Sequence, residues 1–144
     1  MASPAGEQAI AEAIELGRAV IKFVSKNDAG ATGSHQVGFL LPKACWELFT
    51  RHAPTKGVNA EETVRVTWQN GLETDSRVKW YGKAKSEYRL TNELSGDFPY
   101  RTADNVGDLL VLIPLSMNEF HGYVLNPEDD LDDIEAELGI DLTG

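Results

Sequence analysis

The sequence predicts a mainly β domain with short helices, arranged as a barrel or a sandwich. Two observations carry this expectation. About six short segments alternate apolar and polar residues, or run apolar between turn signals. Helical spacing, by contrast, is confined to brief stretches. The 144 residues, 42% of them hydrophobic, suffice for one domain with a sizeable core.

Taken in order, residues 7–16 place Ile10, Ala13 and Ile14 on one helical face, with Ser3 and Pro4 marking a start and Gly17 a stop. Residues 18–24 alternate as a strand: Val20, Lys22 and Val24 oppose Ala19, Ile21 and Phe23. A second strand is expected at about 36–41. Pro42 then suits the first turn of a short helix through 43–50, with Ala44, Cys45, Leu48 and Phe49 inward. Residues 51–61 read as loop. Residues 63–69 alternate Val64, Val66 and Trp68 against Arg65 and Thr67, and 78–81 oppose Val78 and Trp80 to Lys79 and Tyr81. Asn70-Gly71 marks a turn between them, so the pair reads as a hairpin with a rather long connection. Residues 82–96 form a polar, partly basic stretch. An apolar strand over 109–115 contains Pro114, a turn follows at 117–119, and another strand covers 120–125. Residues 127–138 fit an acidic helix with Leu131, Ile134 and Leu138 on one side. The expected division is a domain over 1–126 and an acidic tail over 127–144, the latter a terminal helix or a linker.

The net charge of −10 is concentrated in that tail, where residues 127–144 hold eight acids and no Lys or Arg. The preceding 126 residues carry 13 basic and 15 acidic side chains, so the body is near neutral. No run of about eighteen apolar residues exists, so no membrane partner is expected. Cys45 is the single cysteine, which excludes an internal disulfide and fits a reducing cytoplasm. His35, His52 and His121 lack metal-ligand spacing, so no metal site is expected. The glycines match neither a dinucleotide fingerprint nor a phosphate-binding loop ending in Gly-Lys-Ser/Thr. No Asp or Glu stands two residues before any Lys, an arrangement many metal-dependent nucleases use. No catalytic residue is expected in this chain.

The stretch with most chemistry runs from Ser25 to Pro42. It sets Gly30, Gly33 and Gly38 among Lys26, Asn27, Asp28, Thr32, Ser34, His35 and Gln36, between two apolar segments. Glycine permits sharp turns and close backbone approach. The side chains are of the types that read base edges and hold phosphates. They are equally the types that shape turns and cap backbone groups.

The segment Asn27-Asp28-Ala29-Gly30-Ala31-Thr32-Gly33-Ser34-His35-Gln36-Val37-Gly38 closely resembles the start of the N-terminal effector domain of EcoRII-type restriction endonucleases. Gly82-Lys83, with Glu87, Arg89 and Thr91, resembles a second polar arm of that domain, and Asn105-Val106-Gly107 before the apolar run at 109–113 is a weaker match. The similarities span about residues 18–125. The resemblance implies a DNA-binding pseudobarrel, an open β-barrel of about seven strands, a fold also used by a large class of plant transcription factors. It implies two arms, here 26–36 and 83–92, that enter the major groove of double-stranded DNA at a site of the CCWGG kind. It also implies a bacterial cytoplasmic setting and a separate C-terminal nuclease domain. Mg2+ is expected only for that catalytic domain, and the isolated domain is expected to be monomeric. The chain departs from the second arm's pattern at Tyr88, where a basic residue is expected.

The candidate DNA-binding residues are therefore Lys26, Asn27, Asp28, Thr32, Ser34, His35 and Gln36 on the first arm, and Lys83, Lys85, Glu87, Tyr88, Arg89 and Asn92 on the second, with Arg77 beside them. Arg can grip guanine O6 and N7 with two donors, Glu87 can accept from cytosine N4, and Gln36 suits adenine. Asp28 would be repelled by phosphate, so at an interface it would accept from a base amino group. Lys22 and Arg77 suit phosphates. The three tryptophans, Trp46, Trp68 and Trp80, read as core. Two other readings compete. A protein-interaction barrel would use an acidic surface and leave DNA affinity indifferent to Arg89. A hydrolase centred on His35 and Asp28 would cut DNA with magnesium unaided.

Overall fold

The computed structural model describes residues 2–26, 28, 38–51, 53–84, 86–92, 98–100 and 102–142, with no side-chain description for Asn92. Seven strands form one sheet: β1 (Val20–Phe23), β2 (Phe39–Leu41), β3 (Asn59–Trp68), β4 (Glu73–Tyr81), β5 (Tyr88–Asn92), β6 (Leu109–Ser116) and β7 (Glu119–Leu125). Three helices accompany them: α1 (Pro4–Leu16), α2 (Trp46–Phe49) and α3 (Pro127–Leu138). The strand order is β1-β6-β7-β3-β4-β5-β2, with every pair antiparallel except the parallel β3–β7. The sheet curls into a nearly closed seven-strand barrel of the pseudobarrel type, with β1 and β2 at its two edges.

The period-2 alternation explains which side chains fill the barrel. Val64, Val66 and Trp68 of β3, Val78 and Trp80 of β4, Tyr88 and Leu90 of β5, and Phe39 and Leu41 of β2 all point inward. The indole N–H groups find acceptors, as buried ones must. Trp68 Nε1 donates to Thr74 Oγ1 at 3.0 Å and Trp80 Nε1 to the Thr55 carbonyl at 2.9 Å. β6 is apolar on both faces for a different reason. Leu110 and Leu112 enter the barrel, whereas Leu109, Val111 and Ile113 face α1 and α3 outside it. Pro114 is tolerated because β1 pairs with β6 only as far as Leu112, and a register shift at Pro114/Ser116 absorbs the missing donor.

Both longer helices begin and end as their sequences dictate. Ser3 and Asn126 cap α1 and α3, a proline follows each cap, and Gly17 and Gly139 terminate them at φ of 70° and 68°. They meet where Gly6 presses on the Asp130 carboxylate, which accepts from Ser3 N at 2.7 Å and Ser3 Oγ at 2.8 Å. Glu12 accepts from Tyr123 Oη at 2.7 Å and lies 3.0 Å from His121 Nδ1, tying α1 to β7. Burial and the Glu12 carboxylate push the Tyr123 phenol well above its ordinary pKa, so it stays a donor. Ile134 is the fully buried apolar contact of α3. Ile134→Ala should cost about 2–4 kcal/mol, read as a lower denaturant midpoint at unchanged slope.

Several sequence expectations shift. β3 begins at Asn59, within the expected loop, and β4 begins at Glu73, so the β3–β4 connection is only residues 69–72. β5 lies inside what read as a polar stretch, because its outward Arg89 and Thr91 mask the inward Tyr88 and Leu90. Trp68 and Trp80 are core and Trp46 packs at its margin. Among the described residues, no helix is long and apolar enough to cross a membrane.

Candidate nucleic-acid interface

The two longer helices pack on the outside of β6 and β7, whereas the outward side chains of β3 and β4 are largely exposed and those of β5, Arg89 and Thr91, are buried. Register assigns the side chains there. One transverse row reads Glu61, Lys79, Arg89, Leu40; the next reads Thr63, Arg77, Thr91. Arg77 stands 3.5 Å from Glu61, and both are substantially exposed. α1 and α3 together carry ten acids and no Lys or Arg, while residues 77–89 carry five basic residues against Glu87, next to outward Glu61, Glu73 and Asp75 on β3 and β4.

Two connections have their described ends beside β5. The first joins β1 to β2. Its root is Asp28, whose carboxylate accepts from Ser25 N at 3.0 Å and Leu40 N at 2.9 Å and pairs with Lys22 Nζ at 2.6 Å. The connection re-enters the barrel at Gly38. There φ is +91°, and a Cβ would collide with the Leu90 carbonyl, so glycine is required twice over.

The second connection, residues 82–87, joins β4 to β5. Gly82 is wedged against the carbonyls of Thr55 and Val58, and Lys83 N donates to Asn59 Oδ1 at 3.0 Å. Tyr81 closes the turn, with Tyr81 N donating to the Glu87 carbonyl at 3.0 Å and Ser86 N to the Tyr81 carbonyl at 2.8 Å. Arg89 links the two roots. Its Nε donates to Glu87 Oε1 at 2.9 Å and its Nη1 to the Gly38 carbonyl at 3.3 Å.

The sequence candidates divide accordingly. Lys26 and Lys83 are exposed, and Arg77 and Glu87 are half-buried on or beside β4 and β5. Asn27, Thr32, Ser34, His35, Gln36 and Lys85 lie outside the described residues, as does the side chain of Asn92. Three candidates require correction as surface groups. Tyr88 is 1% exposed and packs its ring on Phe49 and Trp80, because strand alternation turns it into the barrel; that burial also raises its phenol pKa. Asp28 is 1% exposed and spends its oxygens on Lys22 and the backbone. Arg89 faces outward but is only 5% exposed, held between Glu87 and Gly38. Lys22, read as a phosphate contact, is drawn instead to Asp28 and to the Leu40 carbonyl at 2.7 Å. Lys79 escaped the sequence reading, although its opposition to Val78 and Trp80 already signalled an outward cation. Among the described residues, no three His, Cys, Asp or Glu side chains are grouped so as to hold a metal ion.

Comparison with known proteins bears on the family and the fold. A family model described as restriction endonuclease EcoRII, N-terminal, matches residues 16–142. The type II restriction enzyme EcoRII of Escherichia coli is 30% identical over 139 residues, an alignment covering 86% of this chain and 34% of that enzyme. The chain thus spans about one third of the length of that curated relative. A solved structure of the B3 domain of the UbaLAI restriction endonuclease with cognate DNA matches with a TM-score of 0.52 at 15% identity, over 94% of this chain and 89% of that one, which supports the shared pseudobarrel fold. A nearly closed seven-strand barrel, a family match over most of the chain and a relative at 30% identity lead to one conclusion: this chain belongs to the family of EcoRII N-terminal domains.

Proposed function

We propose that this domain binds double-stranded DNA sequence-specifically, with its two arms in the major groove, as the effector or target-recognition module of a type II restriction endonuclease with a CCWGG-like site. The observation that carries the reading is that Arg89 joins the ends of the two connections, with Arg77, Lys79 and Lys83 close by in the same two strands and turn. The DNA-complexed restriction B3 domain of the same fold adds support. In this reading Arg77, Lys79 and Lys83 meet phosphates and provide affinity without sequence preference. Glu87 and Arg89 match a C·G pair, the carboxylate accepting from cytosine N4 and the guanidinium fork turning out to guanine O6 and N7 as the arms seat. Lys26, Asn27, Thr32, Ser34, His35, Gln36, Lys85 and Asn92 are assigned to the arms on sequence grounds. The domain binds rather than cuts, and catalysis belongs to a separate nuclease domain of a longer protein. The acidic helices face away from the duplex and so do not oppose it.

A mobility-shift titration against a CCWGG duplex and a scrambled duplex tests the proposal. The cognate duplex should bind at least about a thousandfold more tightly, and equal affinity for both would overturn it. Lys83→Ala should weaken both duplexes similarly and reduce the slope of log K against log salt by about 0.9.

A further inference from the structure

We propose that Lys22 and Asp28 form a side-chain clasp that closes the barrel seam and fixes the two ends of the connection carrying the first arm, which makes Asp28 a positioning residue. The seam lies between the edge strands β1 and β2, which are not joined by a backbone ladder. At Leu40 both backbone groups are instead satisfied by side chains. Asp28 Oδ1 accepts from Leu40 N at 2.9 Å, and Lys22 Nζ donates to the Leu40 carbonyl at 2.7 Å. The two side chains thus supply the acceptor and the donor that a neighbouring strand would offer. They are joined to each other at 2.6 Å, with the Asp28 side chain fully buried.

The clasp also pins both ends of the connection between β1 and β2. Asp28 Oδ2 accepts from Ser25 N at 3.0 Å, while Asp28 N donates to Ser25 Oγ at 3.1 Å, fixing the exit from β1. The bond to Leu40 fixes the return into β2. A carboxylate with its oxygens so engaged in the interior is unavailable to a base amino group. Its contribution to DNA recognition, which rests on the binding proposed above, is to hold the two ends of that connection in place before the duplex arrives.

The test uses Asp28→Asn and, separately, Lys22→Met, which keeps the apolar stem of the lysine. Amide hydrogen exchange on the DNA-free protein is the first readout. Both variants should exchange faster at the Leu40 amide by at least about tenfold, while amides of the β3–β4 ladder stay protected. The second readout is the affinity ratio between cognate and scrambled duplexes. Both variants should lower it by about tenfold or more, and the double variant should be no worse than either single one. Unchanged protection at Leu40 in Lys22→Met would overturn the clasp. So would a Lys22→Met protein that loses affinity equally for both duplexes, the result expected of a simple phosphate contact. If Asp28→Asn does not fold, Lys22→Met decides alone. A wild-type protein without duplex preference would defeat the DNA-binding reading, and exchange at the Leu40 amide would then decide the clasp by itself.

Discussion

Arg89→Ala is expected to lower stability by about 2–3 kcal/mol and to abolish discrimination between cognate and scrambled duplexes. The stability loss comes from the contacts Arg89 makes in the free protein, and the loss of discrimination from the guanine contact proposed for it. Arg89 is nearly buried and ties the Glu87 carboxylate of the second arm to the Gly38 carbonyl at the return of the first. Truncation leaves both acceptors without that partner, and a charged hydrogen bond of this kind contributes about 1.5–3 kcal/mol. The larger penalty of a fully buried broken pair does not apply, since Glu87 keeps some contact with water. Arg89→Lys retains the charge but cannot span both partners with one planar fork, so it should keep non-specific affinity without recovering discrimination. Thermal melting and paired titrations on the same preparations check both parts.

Gly38→Ala should be at least as damaging, at about 2–4 kcal/mol. A positive φ of 91° disfavours any residue with a Cβ, which costs about 1–2 kcal/mol. The added methyl also meets the Leu90 carbonyl, so the β2–β5 ladder must open to admit it. β2 has only three residues and pairs with nothing else among the described strands. The loss should therefore register as faster exchange of β2 and β5 amides. Gly71→Ala provides the contrast: its φ is 86° but no atom lies within 4 Å of an added Cβ, so only the conformational part of the cost should appear.

Which parts of the molecule are legible in the sequence follows from the range of the forces involved. Strands that alternate on a half-buried face, such as Val64-Arg65-Val66-Thr67-Trp68, announce themselves through neighbours two residues apart. So do α1 and α3, whose caps and stops are local. β5 hides because the outward side of its alternation is itself buried, so Arg89 and Thr91 look like surface residues in sequence and are not. The role of Asp28 is illegible for a related reason. Its partners Lys22 and Leu40 lie six residues before it and twelve after it, and they meet only when the barrel curls. Tyr88 stands where the second arm's pattern leads one to expect a basic residue, and its position in the strand period sends it into the aromatic cluster with Phe49 and Trp80. Charge is misleading as a total and informative as a distribution. The −10 sum suggests avoidance of DNA, yet ten of the acids sit on α1 and α3, which carry no Lys or Arg, while Arg77, Lys79 and Arg89 lie on β4 and β5.

The central claim is that base edges are read from the major groove, and guanine methylation interference addresses it most directly. A CCWGG duplex is sparsely methylated at guanine N7, which lies in the major groove, and bound and free fractions are separated and cleaved at the modified positions. Methylation of guanines within the site is expected to exclude those molecules from the bound fraction, while guanines outside it are neutral. A bound fraction with site guanines methylated as often as in the free DNA would contradict major-groove readout.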